Sequence, residues 1–264
     1  MKIIVITGST RGIGFGLAES FLEMGCAVVV SGRTQEAVDR AVGELSQRHP
    51  KENILGVACD VTDYGQVEKL WDEAKNYFGK VDTWINNAGI ANLIHPFWEV
   101  PEEEFRAIIH TNLVGAFHGA KAAMKGMLEQ GFGSIYNMEG MGSDGKRMVK
   151  GLAPYGMTKA ALAYFTDAMV EEAAETPIII GAIRPGMVAT EMITNQYKGK
   201  EADWERVRKI MNILSDRVET VAPELAKRIL ENTRTGARIK RGNPFRLMGR
   251  FLMAPFQKRD VFSK

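Results

Sequence analysis

Short apolar runs and longer amphipathic stretches alternate from the start of the chain. Residues 3–7 (Ile-Ile-Val-Ile-Thr) form a β-branched run, and glycines follow it. An apolar period through Leu17, Ala18, Phe21 and Leu22 then predicts a helix that stops at Gly25. The pairing recurs, with strands predicted at 27–31, 54–59, 83–86, 134–137 and 177–184. Helices are predicted at 36–47, 67–78, 105–127 and 155–174, the third being one long pattern rich in alanine and glycine.

Apolar strands separated by helices imply βαβ units, a parallel sheet buried on both faces and right-handed crossovers. The predicted class is α/β, a Rossmann-type doubly wound sheet with helices on both faces, in one domain spanning 1–264. A chain of 264 residues with 45% hydrophobic and 25% charged content can bury such a core without staples. A formal charge of +2 gives no footing for a nucleic-acid partner. Cys26 and Cys59 sit in apolar runs and read as buried thiols, and the four histidines have no ligand spacing, so no metal is expected. Opening on a strand, with no apolar run of membrane length, the chain is expected in a reducing cytoplasm.

The first strand runs into Gly8-Ser9-Thr10-Arg11-Gly12-Ile13-Gly14 and then a helix. Glycines there permit a tight turn and close backbone approach to a pyrophosphate, which the helix N-terminus attracts. The second strand ends Val30-Ser31-Gly32-Arg33, with no acid to hold ribose hydroxyls. Arg33 suits a 2′-phosphate, Arg11 is expected to reach the same region, and the cofactor is therefore expected to be NADPH/NADP+. Asp60, beside Val61 after the third strand, is placed to accept from the adenine amino group. Asn87, with Ala88 and Gly89, is expected to fix the edge of the sheet where the cofactor lies.

Tyr155 and Lys159 are four apart on a predicted helix and share a face. A phenol near its ordinary pKa of about 10 trades protons poorly at neutrality. Lys159 and a positive nicotinamide are expected to lower that value. Together with Thr7-Gly8-x-x-x-Gly12-x-Gly14, Asn86-Asn87-Ala88-Gly89 and Pro185-Gly186, this order of motifs resembles the short-chain dehydrogenase/reductase superfamily over nearly the whole chain. The resemblance implies hydride transfer to or from a carbonyl carbon, with Tyr155 as acid and base. Asn112 would hold a water that links Lys159 to solvent, and Lys159 would hold the nicotinamide ribose. It also implies that the Val188 backbone binds the carboxamide and that Thr190 contacts the carboxamide or pyrophosphate.

The serine departs from the family pattern. Its usual place, just after the fifth strand, holds Glu139 and Gly140, and Ser143 is the expected replacement. Glu139 is open to two readings, a polar group facing the substrate or a turn residue pointing to solvent. The loop Glu139-Gly140-x-Gly142-Ser143 resembles the chlorophyll b reductase branch, which implies a formyl tetrapyrrole as substrate. Residues 191–218 are expected to form a substrate lid, whose Met192, Ile193, Trp204, Ile210, Met211 and Leu214 point to a bulky apolar carbonyl compound.

From Val221 onward eleven basic residues stand against three acids, and in the tail 240–264 they interleave with Phe245, Leu247, Met248, Phe251, Leu252, Met253 and Phe256. One reading is a surface for anionic membranes or an acidic, greasy substrate. The preferred, plainer one is a subunit contact or a cap over the site. The Ala/Gly-rich helices suit packing between subunits, and by resemblance a homodimer or homotetramer is expected. A non-catalytic NADPH-binding sensor or scaffold is the alternative to an enzyme.

Overall fold

The computed structural model describes residues 1–146, 148–241, 250, 253 and 259–263. Strands β1 (Ile3–Ile6), β2 (Ala27–Gly32), β3 (Ile54–Ala58), β4 (Thr83–Asn86), β5 (Gly133–Met138), β6 (Ile178–Arg184) and β7 (Ala237–Lys240) form one sheet in the order β3-β2-β1-β4-β5-β6-β7. Every strand pair is parallel. The order reverses between β1 and β4, and ligands of such sheets bind in the crevice beyond that switch point.

Helices α1 (Gly12–Glu23), α2 (Gln35–Leu45), α3 (Tyr64–Phe78), α4 (Glu102–Ile109), α5 (Gly115–Gln130), α6 (Ala153–Glu172), α7 (Glu191–Asn195), α8 (Glu201–Leu214) and α9 (Val218–Glu231) complete the described chain. Side chains alternate across each strand, so neighbouring residues feed opposite cores. Ile4 and Ile6 join Leu17, Phe21, Leu225 and Ile229 on one face. Val5 joins Trp71, Trp84, Met127 and Ile135 on the other. Gly126 lies directly under the Trp71 ring, where any Cβ would overlap it, so α5 approaches α3 closely.

The predicted strands and main helices are present within a few residues. The predicted single helix over 105–127 is instead α4 and α5 joined through a π-helical turn at His110–Val114. The expected lid resolves into α7 and α8, with α9 beginning at Val218. Lys240, expected to open the tail, closes β7. Of the apolar tail residues Phe245, Leu247, Met248, Phe251, Leu252, Met253 and Phe256, all but Met253 lie outside the described residues.

Candidate active site

The glycine turn is fixed from below by β4. Asn87 donates its amide to the Thr7 and Gly8 carbonyls at 2.8 and 3.0 Å, and its own N–H bonds the Thr7 hydroxyl. Gly8 has φ +63°, and a Cβ there would stand 2.8 Å from Ala88 Cα. Arg11, at the N-cap of α1, makes no side-chain cap, and the first turn holds no acid. An uncapped helix start of this kind fits a pyrophosphate, whose oxygens complete its N–H groups. Ser9 is turned the other way: fully buried, its hydroxyl donates to the Ile6 carbonyl and accepts from Ser31 N–H. Ile13 packs against the core. Thr10 stands over Gly32, and Thr190 lies beside Gly12.

A cleft of about 290 Å³ is lined by Arg33, Asp60, Thr62, Arg106, Ala107, His110 and Thr111. That volume lies at the lower bound of small-molecule sites, enough for one end of a dinucleotide. Asp60 Oδ1 is held by the Thr62 N–H and hydroxyl at 2.9 and 2.8 Å. Val61 packs on Gly115, and its carbonyl bonds His118 Nδ1. Arg11 does not line this cleft; it makes an exposed 3.1 Å ion pair with Glu191. The second guanidinium here is Arg106, which no local motif singles out, because it comes from α4 across the cleft.

The helix that carries the tyrosine is seated on a buried polar ladder. Trp84 Nε1 donates to Asn86, Asn86 to Asn137, and Asn137 to the Thr166 hydroxyl of α6, at 2.8 to 2.9 Å. At the start of α6, fully buried Asn92 accepts from Tyr155 N–H and donates to the Leu93 and Gly151 carbonyls. Asn112 sits in the π turn. Its amide accepts from Ile90 N–H and donates to the Ile90 carbonyl and to Thr158 Oγ1, at 2.8 to 3.0 Å. The Asn112 side chain thus ties the loop after β4 to α6, and a Cβ on Gly89 would stand 3.3 Å from Asn112 Oδ1 and 3.7 Å from Lys159 Nζ.

Gly140 is the point of convergence. A Cβ on it would lie 2.6 Å from Tyr155 Oη and 3.4 Å from two Lys159 carbons. Its N–H donates to Ser143 Oγ at 2.9 Å. Gly142, with φ +97°, folds back against the Gly156 backbone and makes that return possible. Because Ser143 Oγ is already an acceptor, its own hydrogen is left to donate. Removing such a donor costs about 10² in turnover. Ser143→Ala is therefore expected to lower kcat by about 10²-fold with cofactor affinity unchanged, read by steady-state kinetics and nucleotide titration.

Burial pushes the Tyr155 phenol up to about 12 in the chain alone, opposite to the lowering expected from Lys159 together with a positive nicotinamide. Lys159 Nζ donates to the Met138 carbonyl at 2.8 Å and stands 5.7 Å from the Tyr155 ring centre. Burial lowers its own value to about 8, against a pull upward from Glu139.

Glu139 corrects both expectations, since it faces neither substrate nor solvent. Its side chain is fully buried and pairs with Arg184 of β6, and with Arg238 of β7 at 3.3 Å. Arg238 also meets both oxygens of Asp167 on α6, at 2.6 and 2.7 Å. The carboxylate thus binds β5, β6, β7 and α6 together, and the chain must turn through glycines before it can present a hydroxyl.

At the mouth, Pro185-Gly186 turns through φ +78° at the glycine, and Val188 is buried. The Lys200 ammonium holds the Ile94 carbonyl, and Ile94 N–H bonds the Gln196 carbonyl at 3.0 Å. The segment from α7 to α8 is thereby attached to the loop after β4.

A glycine turn at a switch point, facing a helix that carries Tyr155 and Lys159, is the ligand crevice of a Rossmann-like domain. The chain belongs to the short-chain dehydrogenase family, whose model matches residues 2–201. It is 36% identical over 242 residues to the probable chlorophyll(ide) b reductase NYC1 of Arabidopsis thaliana, covering 86% of this chain and 47% of that one. It is 33% identical over 231 residues to the chlorophyll(ide) b reductase NOL of Oryza sativa subsp. japonica, covering 86% and 66%. The chain therefore spans half to two thirds of these relatives, both named as chloroplastic. Among solved structures it matches a gluconate 5-dehydrogenase from Burkholderia cenocepacia in complex with NADP and tartrate. That match has a TM-score of 0.74 and 27% identity, over 90% of this chain and 93% of that one.

Proposed function

We propose that the protein is an NADPH-dependent reductase that converts a carbonyl group to an alcohol. The observation that carries the reading is the convergence of Tyr155 Oη, Lys159 and Ser143 Oγ around Gly140. Bound NADPH would supply the hydride that the carbonyl carbon receives. Tyr155 transfers its phenolic proton to the carbonyl oxygen, and Ser143 donates a hydrogen bond to that oxygen as charge develops. Lys159, as a cation, stabilises the phenolate left behind. Arg33 and Arg106 are suited to the adenosine 2′-phosphate, and the uncapped start of α1 to the pyrophosphate.

The loop Glu139-Gly140-x-Gly142-Ser143 and the two reductase relatives support a formyl group on a tetrapyrrole as the substrate. Exposed Phe117, Met157 and Tyr164 on α5 and α6 support pairing of subunits through those helices.

The test is purified protein with NADPH and a panel of formyl chlorophyllide, steroid ketones and small aldehydes, with products identified by mass spectrometry. A hydroxymethyl product from the tetrapyrrole supports the substrate reading. Turnover of the other carbonyls with the tetrapyrrole untouched removes that reading and keeps the reductase. No turnover across the panel, with NADPH still bound, favours a sensor. Arg33→Ala is expected to weaken NADPH binding at least about tenfold, the scale of one charge-assisted contact, and to leave NADH affinity unchanged. Quenching of protein fluorescence during nucleotide titration measures both.

A further inference from the structure

Three arginines near the C-terminus, Arg241, Arg250 and Arg259, are directed at one carboxylate. Asp216 follows α8, and its buried carboxylate binds Arg241 at the end of β7, together with Arg250 and, at 3.5 Å, Arg259. Burial works to raise the Asp216 carboxyl; Arg241 and Arg250 outweigh it and hold it below the usual value. The same residue's main chain pairs with the strand end after β6. Asp216 N–H donates to the Met187 carbonyl at 3.0 Å, and Ala189 N–H to the Asp216 carbonyl at 2.8 Å.

The C-terminal segment also grips α8. Arg259 donates to the Ile213 and Ser215 carbonyls at 3.4 and 3.2 Å, and Arg250 to the Ile213 carbonyl at 3.5 Å. Cations there meet the negative end of the helix. Val261 N–H bonds Asn212 at 2.8 Å, Arg208 pairs with Asp260 at 2.8 Å, and Phe262 packs edge-on against Trp204 at 5.0 Å.

We propose that Asp216 is a positioning residue, through which the C-terminal segment holds Met187–Ala189 at the nicotinamide end of the site and α8 in place beside it. The carboxylate is the joint: arginines from β7 and from the C-terminal segment fix the side chain, and the backbone of the same residue fixes the strand end. Arg241, Arg250 and Arg259, with Asp260, Val261 and Phe262, act as an internal strap. The assignment rests on the reading of Met187–Ala189 as the nicotinamide edge.

Asp216→Asn in the full chain removes the charge and keeps the shape. Faster amide exchange at Ala189 and across α8 is expected. So is a weakening of NADPH binding by about tenfold, the scale of one lost backbone hydrogen bond to the nicotinamide half. Affinity for 2′,5′-ADP, which lacks the nicotinamide half, should stay within about twofold, and Asp216→Glu should restore part of the NADPH affinity. Unchanged Ala189 exchange and NADPH affinity would overturn the assignment. Equal weakening of both nucleotides would overturn it too, by showing a general loss of structure. Should Asp216→Asn not fold, the double variant Arg250→Gln/Arg259→Gln is read against the same outcomes. If the wild type binds neither nucleotide, the cofactor reading falls, and the exchange comparison alone decides the coupling.

Discussion

Tyr155→Phe is expected to lower carbonyl turnover by about 10³-fold while NADPH binding stays near the wild-type value, because a positioned proton donor contributes about 10²–10⁴. The phenylalanine ring keeps the packing against Gly140 and Lys159 and removes the hydroxyl alone. Full turnover in this variant would sink the assignment of Tyr155 as acid. With its phenol pushed up to about 12, Tyr155 is protonated at neutral pH, as a donor in reduction must be. The charge that draws the proton off sits on Lys159, whose value lies at about 8. Reduction should therefore be at its plateau below that pH and fall as pH rises through it, as Lys159 becomes neutral. The kcat/KM profile reports this limb for the cofactor-loaded enzyme.

The second large effect is on stability. Glu139→Gln leaves the Arg184 and Arg238 guanidiniums facing a neutral buried amide. Breaking a buried pair from one side costs about 3–5 kcal/mol. Both arginines keep some solvent contact and Arg238 retains Asp167, so the lower figure applies, about 3 kcal/mol. For a chain of this size that is a fall in Tm of about 6–12 °C. The same change removes the upward pull on Lys159, so the alkaline limb of the pH profile should move to lower pH. A thermal scan matching wild type would show that the carboxylate is no tie, and an unmoved limb that it is no counter-charge to Lys159.

The strands, the helices and the glycine turn were legible because each rests on a local pattern: β-branched runs, period 3.6 and glycines between them. The Tyr155-Lys159 pair was legible for the same reason, and so was a displaced hydroxyl, since Ser143 stands a fixed distance before Tyr155. Glu139 was not, because its partners Arg184 and Arg238 come from two later strands, and in one dimension a glutamate between a strand and a glycine looks like a turn. Asn92, which caps α6, and Arg106, which faces Arg33, were hidden in the same way. The lowered phenol value was expected from the charges of Lys159 and of a bound nicotinamide. In the folded chain desolvation of the ring governs it, and Lys159 turns its proton toward Met138. Beta-strand β7 was missed as well. Its four residues, Ala-Arg-Ile-Lys, carry two charges, and both arginine and strand become intelligible only once Glu139 and Asp167 are seen beneath them.

The π turn at His110–Val114 works as a phase shifter between two gears. Upstream of it, Arg106, Ala107 and His110 face the cleft beside Arg33 and Asp60; downstream, Gly119 and Gly126 mesh with Trp84 and Trp71. An α-helix advances about 100° per residue, so an ungeared helix could hold one of these settings and not both. Deleting one residue here would leave the α5 teeth engaged, because they are buried. It would turn the cleft-facing teeth aside and withdraw Asn112 from Ile90 and Thr158 in the same rotation. Nucleotide affinity and the seating of Tyr155, two properties served by residues far apart on the chain, would then slip together by one notch.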